Sequence, residues 1–191
     1  MQYDVWSVKI KSSANFYVTS VTPSGAGALT LAATTPGING YGYKVSITGT
    51  GNETAKNFTI TGTTVGGVVV TEVVAGPNNT TVYSTNYFAS VSSITVSAAT
   101  AAAITVGYGG SLALPMTRIK GLYYLASASA GTIIVTRASD STLLLEIDTP
   151  AAATQVNSLY MAAEGIRTTY KTNDLATVAV TNVTAVTLIC G

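Results

Sequence analysis

The chain consists of short runs of β-branched and aromatic residues, each closed by glycine, asparagine, proline or a cluster of small polar residues. In the run NFTITG, Phe58 and Ile60 alternate with Thr59 and Thr61. This period of two is typical of a strand with one buried and one wet face. Comparable runs recur at spacings of about ten residues, and no stretch shows the i, i+3, i+4, i+7 apolar spacing of a helix. The pattern predicts an all-β protein with little or no helix.

Small residues between the runs predict where the strands reverse direction. Gly66 and Gly67 separate NFTITG from VVVTEVV, and glycine tolerates the positive φ that a tight hairpin turn requires. A two-residue turn at this pair would set two cross-strand partners: Ile60 with Val73, and Thr61 with Glu72. In the second half of the chain, residues 128–131 and 138–141 are predicted as further hairpin turns.

The stretch GYGGSLALP, residues 107–115, breaks the strand pattern and predicts a domain boundary. We therefore expect two small antiparallel β-sandwich or barrel-like domains in tandem, 1–112 and 113–191. Residues 1–40 form either an extended arm, separated by the loop TPGINGYG, or extra strands of the first domain. Both halves contain a small-residue turn before a β-branched run, and the sequence leaves open whether they arose by duplication.

The composition is unusual because apolar residues reach 47% while charged residues make up only 9%, against roughly 25% in typical domains. A surface with so few charges favours packing of the protein against copies of itself or against another surface. The alternative is a soluble domain with a threonine-rich exterior. The nine basic and eight acidic side chains are scattered, so we expect no nucleic-acid partner. No uninterrupted apolar stretch is long enough for a membrane span, so we expect no membrane partner. The single cysteine, Cys190, cannot form a disulfide within the chain.

The candidate chemistry is sparse because the chain has no histidine, which removes the commonest general base and metal ligand. Glu146 and Asp148 form the only close acidic pair, about 7 Å apart on one face of a strand. A catalytic couple or a calcium site would need carboxylates from separate elements or a glycine-containing loop. The alternative is a wet strand face, with Arg137 paired across a hairpin and three residues turned inward: Leu143, Leu145 and Ile147. We expect no catalytic residue, no metal site, no cofactor and no enzymatic activity.

Aromatic residues near the predicted strand ends are the candidate contact residues, since tyrosine combines an apolar ring with a polar tip. The same property suits sugar binding, or simple packing at the rims of small β cores. The expected interface residues are Tyr3, Trp6, Tyr41, Tyr43, Tyr83, Tyr87, Phe88, Tyr108, Tyr123 and Tyr124.

Longer motifs connect these runs into a recognisable order. The segments KVSITGTGNET, FTITGT and VTEVVAGPNNTTVYSTNYFASVSSITVS are followed by RIKGLYY, SAGTIIV, EGIRT and ATVAVTNVTAVTL. This order resembles virion structural proteins of tailed bacteriophages, especially short-tailed phages of aquatic bacteria. The resemblance covers roughly residues 41–191 and contains no catalytic signature.

The resemblance implies a non-enzymatic capsid decoration, or cement, protein on the phage head surface, made in the host cytoplasm. Its partners would be the major capsid protein and copies of itself. A homotrimer is expected because icosahedral lattices present three-fold sites to a protein of this size. The alternative is a tail-associated or receptor-binding module that recognises a host surface glycan.

Overall fold

The computed structural model describes residues 6–10, 12–36, 41–115, 118–152, 155–161, 165–167 and 175–190. Within these ranges the regular structure consists of antiparallel β-strands, and no helix is present. The prediction of an all-β fold is therefore confirmed. A helix long and apolar enough to cross a bilayer is likewise absent from these ranges.

The chain divides into two compact units. One, the continuous unit, comprises Ser12–Gly110; the other, the split unit, combines Met1–Lys11 with Ser111–Gly191. The split arises because the first strand, β1 (Trp6–Ile10), pairs antiparallel with the last strand of the chain, from Trp6 opposite Cys190 to Ile10 opposite Val186. The expected domains, 1–112 and 113–191, place the boundary two residues later and assign residues 1–11 to the first domain. The stretch 107–115, expected to break the strand pattern, instead belongs to a strand as far as Leu114, because glycine also adopts extended backbone conformations.

The continuous unit contains two antiparallel sheets. Its strands are β2 (Ser13–Val21), β3 (Gly27–Ala28), β4 (Gly42–Gly49), β5 (Asn57–Thr63), β6 (Val69–Ala75), β7 (Thr81–Phe88), β8 (Ser90–Val96) and the 104–110 part of β9 (Ile104–Leu114). One sheet has the order β3-β8-β5-β6, and the other joins β2, β9, β4 and β7. Within the first forty residues, β2 pairs with β9 and β3 with β8, so this segment supplies strands to the unit.

The core of the continuous unit follows the alternation seen in the sequence. Phe58 and Ile60 are fully buried, whereas Thr59 and Thr61 on the same strand are only partly covered. Because side chains of a strand alternate between faces, β5 turns one apolar row inward and one threonine row outward. The other buried apolar residues of the unit include Val45, Ile47, Val91, Ile94, Val96, Ile104 and Val106.

The hairpin between β5 and β6 has a different register from the predicted one. Thr64 N–H donates to the Val68 carbonyl, Gly67 N–H donates to the Thr64 carbonyl, and Gly67 has a φ of 76°. This is a three-residue loop with a left-handed glycine in its last position, not a two-residue turn. The longer loop shifts the ladder by one residue, and the cross-strand pairs are Thr59 with Val73, Ile60 with Glu72, and Thr61 with Thr71.

The split unit also contains two antiparallel sheets. Its further strands are β10 (Arg118–Ala126), β11 (Gly131–Arg137), β12 (Leu143–Thr149), β13 (Val156–Tyr160), β14 (Ile166–Arg167), β15 (Ala176–Thr181) and β16 (Val183–Cys190). One sheet has the order β1-β16-β10-β13, with β14 also pairing with β10. The other contains β12, β11, β15 and the 111–114 part of β9. Buried apolar residues of the unit include Leu112, Leu114, Leu122, Ile133, Val135, Val178 and Leu188.

The two turns predicted in this half have different outcomes. Residues 138–141 connect β11 and β12, which pair with each other, so this hairpin is confirmed. Residues 128–131 connect β10 to β11, but β10 pairs with β13 and β16, while β11 pairs with β12 and β15. The second prediction is therefore wrong, because a short small-residue link can also carry the chain from one sheet to another.

Candidate assembly surfaces

Four aromatic residues expected at contact surfaces lie inside the continuous unit instead: Tyr41, Tyr43, Phe88 and Tyr108. The ring centroids of Tyr43 and Tyr108 are 4.8 Å apart, and the ring of Phe16 meets that of Tyr108 edge-on at 5.1 Å. These rings fill the core because each contributes a large apolar area to a small β unit. A partner cannot reach them while the unit is folded.

The buried tyrosines are uncharged at neutral pH. Burial, with smaller contributions from Tyr108 and Tyr41, raises the pKa of Tyr43 to about 12. Burial is also the main cause of the raised pKa of Tyr17 and of Tyr108. The Tyr17 hydroxyl is fully buried and finds no hydrogen-bond partner among the described residues. This cluster is therefore a packing element rather than a source of acid or base.

The remaining expected contact residues are exposed, half-buried or outside the described residues. Tyr83 and Tyr123 are exposed, with 48% and 39% of their surface accessible. Tyr87 and Tyr124 are half-buried, and Lys44 Nζ lies 5.5 Å from the centre of the Tyr87 ring. Tyr3 and the side chain of Trp6 lie outside the described residues.

Several exposed apolar side chains of the split unit lie on the outer face formed by β10, β13 and β16, which we call the tyrosine face. Tyr123 on β10 lies opposite Ser158 on β13, and Tyr160 follows two residues later on the same face. The Tyr123 and Tyr160 rings meet edge-to-face, with centroids 6.0 Å apart, and their hydroxyls share a hydrogen bond. Tyr160, which is 68% exposed, and Val156, which is 69% exposed, also belong to this face and were not among the expected contact residues.

The tyrosine face surrounds a shallow depression of about 150 Å³. Its lining residues are Tyr123, Tyr124, Leu125, Val156, Ala185 and Thr187. The hydrogen bond with Tyr160, followed by burial, raises the pKa of Tyr123, so this phenol is neutral at physiological pH. Since none of the described residues that line it carries a charge, covering this part of the depression costs little desolvation of ions.

The continuous unit exposes a second uncharged surface along β6, which we call the valine edge: Val69, Thr71 and Val73. Val69 and Val73 are 69% and 59% exposed, although both belong to a regular strand. β6 is the last strand of its sheet, with β5 as its ladder partner. The adjoining outer face carries hydroxyls, and the Thr61 and Thr71 Oγ1 atoms are 3.1 Å apart. This edge was not among the expected contact surfaces, since valine in a strand usually indicates core.

The one charged residue of β6 is hydrogen-bonded within its own unit. The Glu72 carboxylate accepts hydrogen bonds from Thr85 N–H at 2.6 Å, from Asn86 N–H at 2.9 Å and from Asn86 Nδ2 at 2.9 Å. All three donors belong to β7, the edge strand of the opposite sheet. Glu72 therefore accepts hydrogen bonds from backbone donors of β7, and the three residues of the valine edge carry no charge.

A buried carboxylate joins three loops at one end of the continuous unit. Glu53 is fully buried and accepts hydrogen bonds from Ala101 N–H at 3.1 Å and Ala102 N–H at 2.9 Å. Lys56 Nζ lies 3.0 Å from its carboxylate, and Glu53 N–H donates to the Pro77 carbonyl. Burial alone would raise the pKa of Glu53, but the Ala101, Lys56 and Ala102 contacts together lower it. The residue is a structural anchor of the GNET motif.

The acidic pair Glu146 and Asp148 lies on one exposed face of β12, opposite Ile134 and Thr132 of β11. Arg137 pairs instead with Asp140, at 2.8 Å in the connecting turn, because Arg137 lies beyond the last ladder pair of this hairpin. Of the three residues expected to turn inward, Leu145 and Ile147 are half-buried, but Leu143 is 53% exposed. A register shift next to Thr136 accounts for the difference. Among the described residues, no three potential metal ligands of the His, Cys, Asp and Glu types cluster.

Comparison of the chain with protein-family models finds no matching family, and comparison with curated proteins finds no matching relative.

Proposed function

We propose that this protein is a non-enzymatic structural component of a phage virion, a capsid decoration or cement protein that associates with itself and with the major capsid protein. The single observation that carries the proposal is the tyrosine face, an uncharged surface of exposed Tyr123, Tyr160 and Val156 on a regular sheet. Exposed apolar patches on a folded unit mark surfaces that a partner covers. The low overall charge and the resemblance of residues 41–191 add support.

The proposed mechanism is burial of preformed surface. The tyrosine face is presented by strands, so little backbone freedom is lost when it is covered. Tyrosine contributes a large, rigid contact area, and the hydrogen bond between the Tyr123 and Tyr160 hydroxyls uses one of their two O–H donors and leaves the other for a partner. Contact with neighbouring capsid subunits would tie them together against the pressure of packaged DNA.

The test measures binding of the purified protein to capsid shells by co-sedimentation. Val156→Lys places a charge on the tyrosine face and is expected to weaken binding by about tenfold or more. Leu143→Lys is the matched control, because it adds the same charge at another exposed apolar position of the same unit. Equal binding by the two variants, or no binding by the unmodified protein, would overturn the proposal.

The second candidate function is a tail-associated or receptor-binding module for a host surface glycan. The observation that favours it is the edge-to-face pair of exposed tyrosines beside an open depression, since sugars stack on tyrosine rings and bond to hydroxyls. A glycan array separates the two candidates. Binding of a defined glycan that is lost in Tyr160→Ala, without affinity for shells, would favour the receptor-binding module.

A further inference from the structure

The backbone N–H and C=O groups of the valine edge point away from the sheet to which β6 belongs. At the two ends of the β5–β6 ladder, Thr64 N–H donates to the Val68 carbonyl and Gly76 N–H donates to the Lys56 carbonyl. These two hydrogen bonds identify which facing residues of the ladder are hydrogen-bonded pairs. Because bonded and non-bonded pairs alternate in an antiparallel ladder, even-numbered residues of β6 bond to β5. The N–H and C=O groups of Val69, Thr71 and Val73 therefore face outward, and within the described part of the chain they have no backbone partner.

Exposed strand edges of this length are normally protected against pairing with another chain. The usual devices are lysine, proline, a bulge or a charge on the strand. β6 contains no lysine or proline, and it pairs with β5 over seven positions without a register shift. Its one charged residue, Glu72, faces the inner side of the sheet opposite Ile60, which is one of these devices, but its carboxylate is bound by the backbone of β7. The outward backbone groups of Val69, Thr71 and Val73 thus form a regular template for strand addition, and these three residues carry no charge.

We propose that β6 pairs antiparallel with β6 of a second copy of this chain, across a two-fold axis at Thr71. This register sets Val69 of each copy opposite Val73 of the other, so the most exposed apolar side chains of the strand cover each other. It also joins the outward N–H and C=O groups of all three residues into new ladder hydrogen bonds.

The placement of side chains about Thr71 is what makes a second copy of β6 a fitting occupant of the edge. In an isologous pair, a residue on the axis meets itself, so a charge there is repelled by its own copy. An axis at Glu72 would place two carboxylates opposite each other, whereas the axis at Thr71 places two hydroxyl side chains there. The sequence VVTEVV supplies valines on both sides of that axis. This inference deepens the proposed function and rests on its claim of self-association.

The first test replaces Thr71 by proline and by alanine and measures self-association by sedimentation equilibrium. The Thr71 N–H is not used within the unit, so proline is compatible with this edge but cannot donate to a second strand. We expect Thr71→Pro to raise the dimer dissociation constant by at least about tenfold while Thr71→Ala, which keeps the N–H, retains association. Equal association of the two variants would overturn the proposal.

The second test does not depend on the folding of the proline variant. Residues that face each other in a bonded antiparallel pair have Cα atoms about 5.5 Å apart, which a disulfide can bridge. Thr71→Cys should therefore form a covalent dimer on mild oxidation. The matched control is Thr59→Cys, on the same outer face but on the interior strand β5, which should remain monomeric; the natural Cys190 is buried. Cross-linking of Thr71→Cys no greater than that of Thr59→Cys would overturn the proposal.

The two proposals fail in different ways. A chain that dimerises through Thr71 but does not bind capsid shells supports the pairing of β6 and overturns the decoration role. A chain that binds shells, and whose association is unchanged in Thr71→Pro, supports the decoration role and overturns the pairing of β6.

Discussion

Glu53 shows how one buried carboxylate can hold several loops of a nearly uncharged unit. We expect Glu53→Gln to lower the free energy of unfolding by about 2–4 kcal/mol, because the amide replaces one acceptor by a donor and leaves Lys56 without its charge partner. Chemical denaturation measures the difference. Glu146→Gln is the control, since that carboxylate is exposed on β12, and its effect should stay within about 0.5 kcal/mol. Equal effects of the two substitutions would contradict this role of Glu53.

The same residue predicts a pH dependence of stability. The pKa of Glu53 is lowered from 4.5 in the folded protein, so the folded state favours the carboxylate more than the unfolded state does. Its contribution is therefore complete above the unfolded pKa and is lost as the pH falls through the folded pKa. The stability difference between the unmodified protein and Glu53→Gln should shrink as the pH is lowered below about 4.5. A difference that stays constant down to strongly acidic pH would argue against the assignment.

The structural role of Glu53 could not be predicted from the sequence. The donors to Glu53 are backbone N–H groups of Ala101 and Ala102, separated from it by 48 and 49 positions. Backbone donors leave no signature in a sequence, and alanine gives no sign of a polar role. The tyrosines present the opposite case: Tyr43 and Tyr108 were expected at a surface and are buried, because a ring with one polar atom suits both places.

At the scale of single elements, the β5–β6 hairpin allows a direct test of its loop. A two-residue turn of type I′ would require a left-handed conformation at both glycines, whereas the three-residue loop requires it at Gly67, where φ is 76°. We expect Gly67→Ala to destabilise the protein by about 1 kcal/mol and Gly66→Ala to be neutral or slightly stabilising. Thermal or chemical unfolding of the pair measures this. A similar loss from both substitutions would favour the two-residue turn.

Elements were more predictable than their connections. Alternation in NFTITG was sufficient to predict β5, and the turn at 138–141 was sufficient to predict the hairpin that joins β11 and β12. The register of β6 and the partner of β10 were predicted wrongly. A difference of one residue in the length of a loop, and the sheet that a strand joins, both depend on contacts between distant strands. Glycine and alanine are compatible both with a hairpin turn within one sheet and with a link that carries the chain to another sheet.

At the scale of the whole molecule, the N-terminal strand was the least predictable part of the organisation. β1 pairs with β16 at the other end of the chain, a contact between residues at opposite termini that local pattern cannot reveal. The candidate surfaces were only partly predicted. Tyr123 was among the expected contact residues, whereas Tyr160 was not in that set. Val156 and the valine edge were missed because valine on a strand usually indicates core.

The number of copies of this protein in purified particles tests the central claim most directly. Quantitative mass spectrometry of virions, with the major capsid protein as internal standard, provides the count. A decoration protein that covers a head through the tyrosine face should be present on the order of hundreds of copies, in fixed proportion to the capsid lattice. Absence from the particle, or a count of at most about a dozen as expected for one tail assembly, would contradict it.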